Sequence, residues 1–179
     1  MNPTDDIYEM EDYNEYSFRY DPSNKIHRTA IIDPCVKIGK GNVIGPYTVI
    51  GSNGEIRNVK EFHGSVIIGD NNVISEHVTI QRPELLDKST VIGNGNLIMA
   101  HAHVGHDVTI GNDCEICTGV ILGGYATIEN GAKLKLGVTL RNRKKVGANA
   151  VIGLGAAAVK DVEAGTIVVG NPARLLQKK

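Results

Sequence analysis

Three histidines fall within six residues, His101, His103 and His106, and Asp107 directly follows the last. An imidazole ionises near neutrality, so a histidine beside a carboxylate suits removal of a proton from a hydroxyl or amine. Downstream come Gly123-Gly124-Tyr125 and then a basic run, Arg141, Arg143, Lys144 and Lys145, with Asn142 inside it and Lys160 and Arg174 further on. The basic residues read either as a solvated face or as a clamp for the phosphates of an anionic ligand. Cys114 and Cys117 spell CxxC, a spacing that binds zinc or does redox chemistry in other contexts.

What positions these groups is a repeat. Stepping by six from Ile26 to Ala158 meets 23 positions, every one of them Ile, Val, Leu, Phe or Ala, although those types make up only 62 of 179 residues. A period of six is neither helical nor that of a flat strand. It fits a short strand followed by a turn, three such units closing a coil of about 18 residues, with coils stacked into a parallel β-helix. The residue two before the anchor is small at Ala30, Ala102, Ala126, Ala132, Ala150 and Ala156, as a tight interior corner requires. That rule breaks at Gly54 and Lys60 and again at Glu84, which predicts loops leaving the prism near 53–65 and 82–89. In this frame His101 and His106 sit at corners, and His103 points outward beside an inward Val104. Cys114 faces inward and Cys117 outward, so the pair is expected to be structural, and no metal site is assigned.

Composition agrees with an all-β chain. There are 20 Ile, 18 Val and 21 Gly, with 4% aromatic residues and no Trp. Branched aliphatics and glycine favour strands and tight turns. No stretch is long and apolar enough for a membrane span, the amino terminus does not read as a signal peptide, and three cysteines suggest reduced thiols, so a cytoplasmic location is expected. Residues 1–22 form an acidic, Tyr-rich arm with seven carboxylates and one Arg; the domain 23–179 then has 18 basic and 13 acidic groups, a net of +5. That is too mild, with too few aromatics, for nucleic-acid binding, and it is compatible with a small anionic ligand.

The stretches Ile67-Ile68-Gly69-Asp70-Asn71-Asn72, Asn96-Leu97-Ile98-Met99 and His101-Ala102-His103-Val104-Gly105-His106-Asp107 resemble the hexapeptide-repeat acyltransferases. Among these, residues 26–173 are similar to the UDP-N-acetylglucosamine acyltransferases of lipid A biosynthesis. The resemblance implies a left-handed parallel β-helix, where the general crossover rule would favour the right hand, and a homotrimer. It implies His106 as general base, Asp107 as its support, His103 as a second active-site histidine and Gly124 as the oxyanion donor. Further donor or acceptor contacts are expected from His101, Tyr125, Asn142 and Leu154, and the functional reading of the basic cluster Arg141, Arg143, Lys144 and Lys145, with Lys160 and Arg174 on later coils, is a clamp for CoA phosphates. Departures from the pattern matter too. Tyr125 replaces a substrate histidine and Gln81 another, the loop Gly54–Ser65 lacks an Asp-x-Lys arrangement, and the helical carboxy-terminal domain is missing. Leu154 stands where long-chain members have glycine. Together with the ending Val168-Val169-Gly170-Asn171-Pro172-Ala173-Arg174, which is similar to acetyl-CoA-dependent sugar acetyltransferases, this points to a short acyl group. The expected function is transfer of acetyl, from acetyl-CoA or another acyl-CoA as co-substrate and with no resident cofactor, to a hydroxyl or amine of a nucleotide-linked sugar. Two alternatives stay open: transfer from a hydroxyacyl-acyl carrier protein, and a zinc enzyme like the γ-carbonic anhydrases using His77, His101 and His106.

Overall fold

The computed structural model describes residues 19–59 and 61–176. Among these the regular structure is all strand, in segments of two to five residues. The strands form three faces of a triangular prism. The first face runs from Lys25–Ile26 to Ile167–Val169, with Arg174–Leu175 added antiparallel at its end; the second runs from Ile31–Ile32 to Ala157–Ala158, and the third from Val36–Ile38 to Lys145–Val146. All other pairings are parallel, and the chain is a left-handed parallel β-helix.

Each two-residue strand turns one side chain in and one out, because successive Cβ atoms alternate across a strand. In register, Ile98 lies on Ile116 and Val104 on Leu122, so anchor stacks on anchor from coil to coil. Ile44, Ile74, Ile80, Ile98, Ile116 and Leu134 are completely buried. Each such side chain contributes about 1.5–3 kcal/mol of burial. The usual repeat between neighbouring coils is 18 residues, as from Asn96 to Cys114, but Asn42 to Asn72 takes 30 residues and Asn72 to Asn96 takes 24 residues. The strand register agrees, with Val49 paired to Thr79 and Val66 to Thr90.

Insertions of about twelve and six residues therefore leave the prism, between Asn53 and Ser65 and between Arg82 and Ser89. Both lengths are multiples of six, so the apolar step runs through them unbroken. This corrects the reading of Ile56, Phe62 and Leu86 as core anchors. Leu86 is 79% exposed, Ile56 is half-buried in its loop, and Phe62 is buried outside the main core. The two loops are joined by His63 N–H donating to Glu84 O (3.0 Å) and Gly64 N–H donating to Pro83 O (3.3 Å).

One interior corner is polar. Asn24, Asn42, Asn72 and Asn96 are buried one above the other. Each upper amide donates to the Oδ1 of the residue below it, at 3.0–3.1 Å. The sequence pattern suggests only turns for Asn72 and Asn96; the ladder satisfies them inside instead. Of the acidic arm, residues 1–18 lie outside the described residues, as does Lys60. Tyr20 packs against the core and its hydroxyl donates to Val36 O at 3.5 Å.

Candidate active site

His106 and Asp107 occupy the corner between the strands His103–Val104 and Thr109–Ile110. The turn needs a left-handed residue, and Asp107 supplies it with φ 60°; short polar side chains tolerate that region best. Its N–H donates to Thr90 Oγ1 at 3.0 Å. The Asp107 carboxylate meets His106 Nδ1 at 2.8 Å, and both side chains are mostly buried. With the carboxylate accepting from Nδ1–H, Nε2 is left as the unprotonated nitrogen.

Gly124 holds the equivalent position one coil on. A Cβ there would lie 2.5 Å from His106 Nε2, so only glycine lets the backbone approach the imidazole this closely. Among the described residues the Gly124 N–H has no acceptor. Tyr125 follows, its ring edge-on to His106 at 4.9 Å, and the Arg143 guanidinium lies over the Tyr125 ring at 4.1 Å. Together with Asn142 these groups form one wall of an open cleft of about 440 Å³. The loops supply the opposite wall through Glu55, Arg57 and Glu84. His103 stands beside the cleft, its Nδ1 2.8 Å from Thr79 Oγ1 on the adjoining strand. Burial pushes its pKa below the ordinary value, Glu55 pulls it back up, and the His106 charge acts in the same direction as burial.

The remaining expected site residues are dispersed. His101 lies at the other end of the His103–Val104 strand, outside the His106 cleft. There it stacks on His77 (4.9 Å, 3° between planes), which stacks on Tyr47 (5.2 Å). The reason is the helix itself: the left-handed corner position recurs in each coil, so flat side chains placed there stack at nearly the coil spacing. Parallel stacked imidazoles aim their nitrogens sideways, not at a shared point, and His106 is at another corner. Within one chain the three histidines proposed for zinc thus do not converge, and the described residues hold no cluster of three metal ligands. Leu154 belongs to the His101 corner and is 74% exposed, so it narrows no channel inside its own chain.

The basic run also divides. Lys144 pairs with Asp161 (3.9 Å) and Lys145 with Glu129, Arg141 is exposed, and only Arg143 enters the cleft. Lys160 and Arg174 line a separate cavity of about 330 Å³ at the last coil. Lys160 continues the column His106, Gly124, Asn142, three coils up, or about 14 Å at the usual strand spacing. Cys114 and Cys117 are both buried in the core, which corrects the reading of Cys117 as an outward corner, and burial with the neighbouring Glu115 pushes the Cys117 thiol up to about 11.

Sequence reasoning missed Glu55, Arg57 and Glu84 as cleft residues. A signal existed, because Glu84 is the residue that broke the small-corner rule. Glu55-Ile56-Arg57 also keeps, with different side chains, the two charges of the Asp-x-Lys arrangement said to be lacking.

Residues 89–124 match the bacterial transferase hexapeptide repeat. An acyl-[acyl-carrier-protein]–UDP-N-acetylglucosamine O-acyltransferase of Pseudomonas paraeruginosa is 38% identical over 72 residues, which are 40% of this chain and 28% of that protein. The match thus spans under a third of that relative's length. The structure of a UDP-N-acetylglucosamine acyltransferase from Bacteroides fragilis superposes with a TM-score of 0.82 at 34% identity, over 86% of this chain and 60% of that one. A GDP-perosamine N-acetyltransferase from Caulobacter crescentus, solved with CoA and GDP-perosamine, shares the fold at 20% identity and a TM-score of 0.57, over 87% of this chain and 57% of its own. The resemblance read from the sequence therefore holds: the chain is a left-handed β-helix that carries the bacterial transferase hexapeptide repeat and is similar to the hexapeptide-repeat acyltransferases.

Proposed function

We propose that this protein transfers an acyl group from a thioester to a hydroxyl or amine of a sugar. The observation that carries the reading is the Asp107-supported His106 at the edge of the cleft, packed directly against Gly124, whose N–H has no acceptor among the described residues. A thioester is already activated, so the enzyme must deprotonate the acceptor and hold the charge that develops. His106 Nε2 removes the proton as the acceptor oxygen or nitrogen bonds to the carbonyl carbon. The carbonyl oxygen becomes an oxyanion beside the Gly124 N–H. When the intermediate collapses, the C–S bond breaks and the thiolate takes the proton back from His106. Asp107 holds the imidazole in the tautomer this requires. His103 is the second histidine of the site, oriented by Thr79.

For the donor we favour acetyl-CoA or another short acyl-CoA. Support comes from the Lys160–Arg174 cavity: Lys160 stands in the His106 column about 14 Å away, and the two cations line the cavity with Glu163 and with Asp161, which Lys144 already engages. A second reading, a hydroxyacyl-acyl carrier protein donor with a UDP-N-acetylglucosamine acceptor, is supported by what the Pseudomonas and Bacteroides relatives are named for. We also infer a homotrimer. Ile31, Tyr47, Ile121, Leu136 and Leu154 are exposed along the second face and its His101 corner, an apolar strip suited to a neighbouring subunit. A partner seated there would give Leu154 a channel to narrow. The reading fits a cytoplasmic protein with free thiols; no helix among the described residues is long and apolar enough to cross a membrane.

The deciding experiment is a thiol-release assay. Acetyl-CoA and a hydroxyacyl-acyl carrier protein are each offered with a panel of nucleotide amino sugars and hydroxyl-only sugars. Release from acetyl-CoA that depends on a sugar acceptor supports the first reading; release from the carrier protein alone moves the second into its place. No acceptor-dependent release from either donor overturns acyl transfer.

A further inference from the structure

We infer that Arg143 reads a phosphate ester on the acceptor sugar, an inference that rests on the acyl-transfer reading above. The basic run looks like one surface in the sequence, but the fold gives its members different tasks. Lys144 and Lys145 are occupied by Asp161 and Glu129. Arg143 is turned by a left-handed backbone (φ 60°), its N–H bonded to Gly124 O at 2.9 Å, so that its side chain enters the His106 cleft.

There the guanidinium lies over the Tyr125 ring at 4.1 Å, while Tyr125 itself is braced edge-on against His106 at 4.9 Å. Stacking uses the flat face of the guanidinium. Its N–H edges remain available in the plane, the arrangement that meets two oxygens of a phosphate at once. The contact series His106, Tyr125, Arg143 also sets the distance between the reacting atom and the charge that would be read.

The charge census of the cleft supports a ligand of mixed character. Arg57 and Arg143 share it with Glu55 and Glu84, yet among the described residues none of the four forms an ion pair. Elsewhere on the surface opposite charges do pair, as in Arg82–Asp33 and Lys135–Glu115. Four charges in one cleft without an ion pair among the described residues suit a molecule carrying both an anion and hydrogen-bond donors. A phosphorylated sugar has both: phosphate oxygens for the guanidiniums, and hydroxyl or ammonium groups for the carboxylates. The other source of phosphate is the donor, whose charges fit the separate Lys160–Arg174 cavity.

The test compares glucosamine 1-phosphate with glucosamine, as acceptors and as calorimetric ligands, for wild type, Arg143→Gln and Arg143→Lys. Melting temperatures show that each variant is folded. Arg143→Gln is expected to weaken the phosphorylated sugar about 10- to 100-fold in KM and in direct binding, as for loss of a charged hydrogen bond. The loss for glucosamine should be smaller, so the ratio of the two sugars' KM values falls toward one in Arg143→Gln; that ratio, with the donor KM measured beside it, is the readout. Arg143→Lys keeps the charge but loses the flat stacking edge and should recover part of the loss. A rise in donor KM alone would assign Arg143 to the donor and overturn the inference, as would equal weakening of both sugars. Calorimetry separates the two layers. Arg143-dependent binding of glucosamine 1-phosphate without turnover of any thioester would sink acyl transfer and keep this site; turnover with no Arg143 dependence would do the reverse.

Discussion

His106 and Gly124 lie at equivalent positions of adjacent coils, so close that a methyl group on Gly124 would sit 2.5 Å from the imidazole Nε2. Gly124 has no positive φ that would exclude alanine by itself. The constraint comes from the imidazole alone. Gly124→Ala should therefore fold with a melting temperature near wild type but lose roughly 10²–10³ in kcat, since His106 must move and the N–H is screened. Circular dichroism melts and initial rates check this, and an active Gly124→Ala would remove Gly124 from the site.

His106→Ala is expected to lower kcat by about 10²–10⁴, the usual contribution of a general base, with donor KM little changed. His103→Ala should cost less, because His103 is held by Thr79 and carries no carboxylate partner at hydrogen-bond distance among the described residues. Steady-state kinetics on both variants, with equal losses or with an unaffected His106→Ala, would refute that ranking.

His103 also makes stability depend on pH. Burial lowers its folded-state pKa below the ordinary 6.5, so between those two values the unfolded chain binds more protons than the folded one. The contribution is fully present above about pH 6.5 and is lost as pH falls through the lower folded value. His103→Gln should flatten this part of the stability curve, measured by urea denaturation from pH 7.5 down to 5. An unchanged slope would show that another group carries it.

Asn72 donates to Asn42 Oδ1 (3.0 Å) and Gly93 O (2.9 Å) and accepts from the backbone and side-chain nitrogens of Asn96 at 2.9–3.0 Å. Asn72→Ala leaves several buried polar groups without partners, at about 1–3 kcal/mol each. A loss of about 2–4 kcal/mol in denaturant melts is expected, with catalytic rates at low temperature unaffected. A loss no larger than that of an ordinary surface substitution, about 0.5 kcal/mol, would mean that water replaces the amide.

Leu154 is mostly exposed in the single chain. Leu154→Gly should therefore leave the fold intact and, where a partner subunit completes the channel, improve long acyl donors more than acetyl. Rates across an acyl-CoA series, with light scattering for the assembly, test both. A monomer by light scattering, or a wild type that prefers a twelve- or fourteen-carbon hydroxyacyl donor, would end the short-chain reading.

The prism was legible from spacing alone, because each coil must place an apolar residue inward at the same phase, and closure of a coil follows from three such steps. His103 and His106 could be put at neighbouring positions for the same reason, because residues sharing one strand and corner are neighbours in any such prism; Gly124 entered only through the family resemblance. What the spacing could not tell is which residues of equal phase are inside. Ile56 and Leu86 keep the step of six while standing in loops, since insertions in multiples of six preserve the phase. Nor could it separate corners. His101 and His106 are near in sequence, yet one strand carries them to opposite ends, where His101 stacks on His77 and His106 bonds Asp107. Glu55, Arg57 and Glu84 meet His106 only because the two loops fold back over the prism and bond to each other, a long-range closure that no local pattern encodes. The repeat thus determined the scaffold and the column of candidate residues. The tertiary fold decided which of them share a cleft, because side-chain neighbours across coils and loops are set by stacking and closure, and only indirectly by distance along the chain.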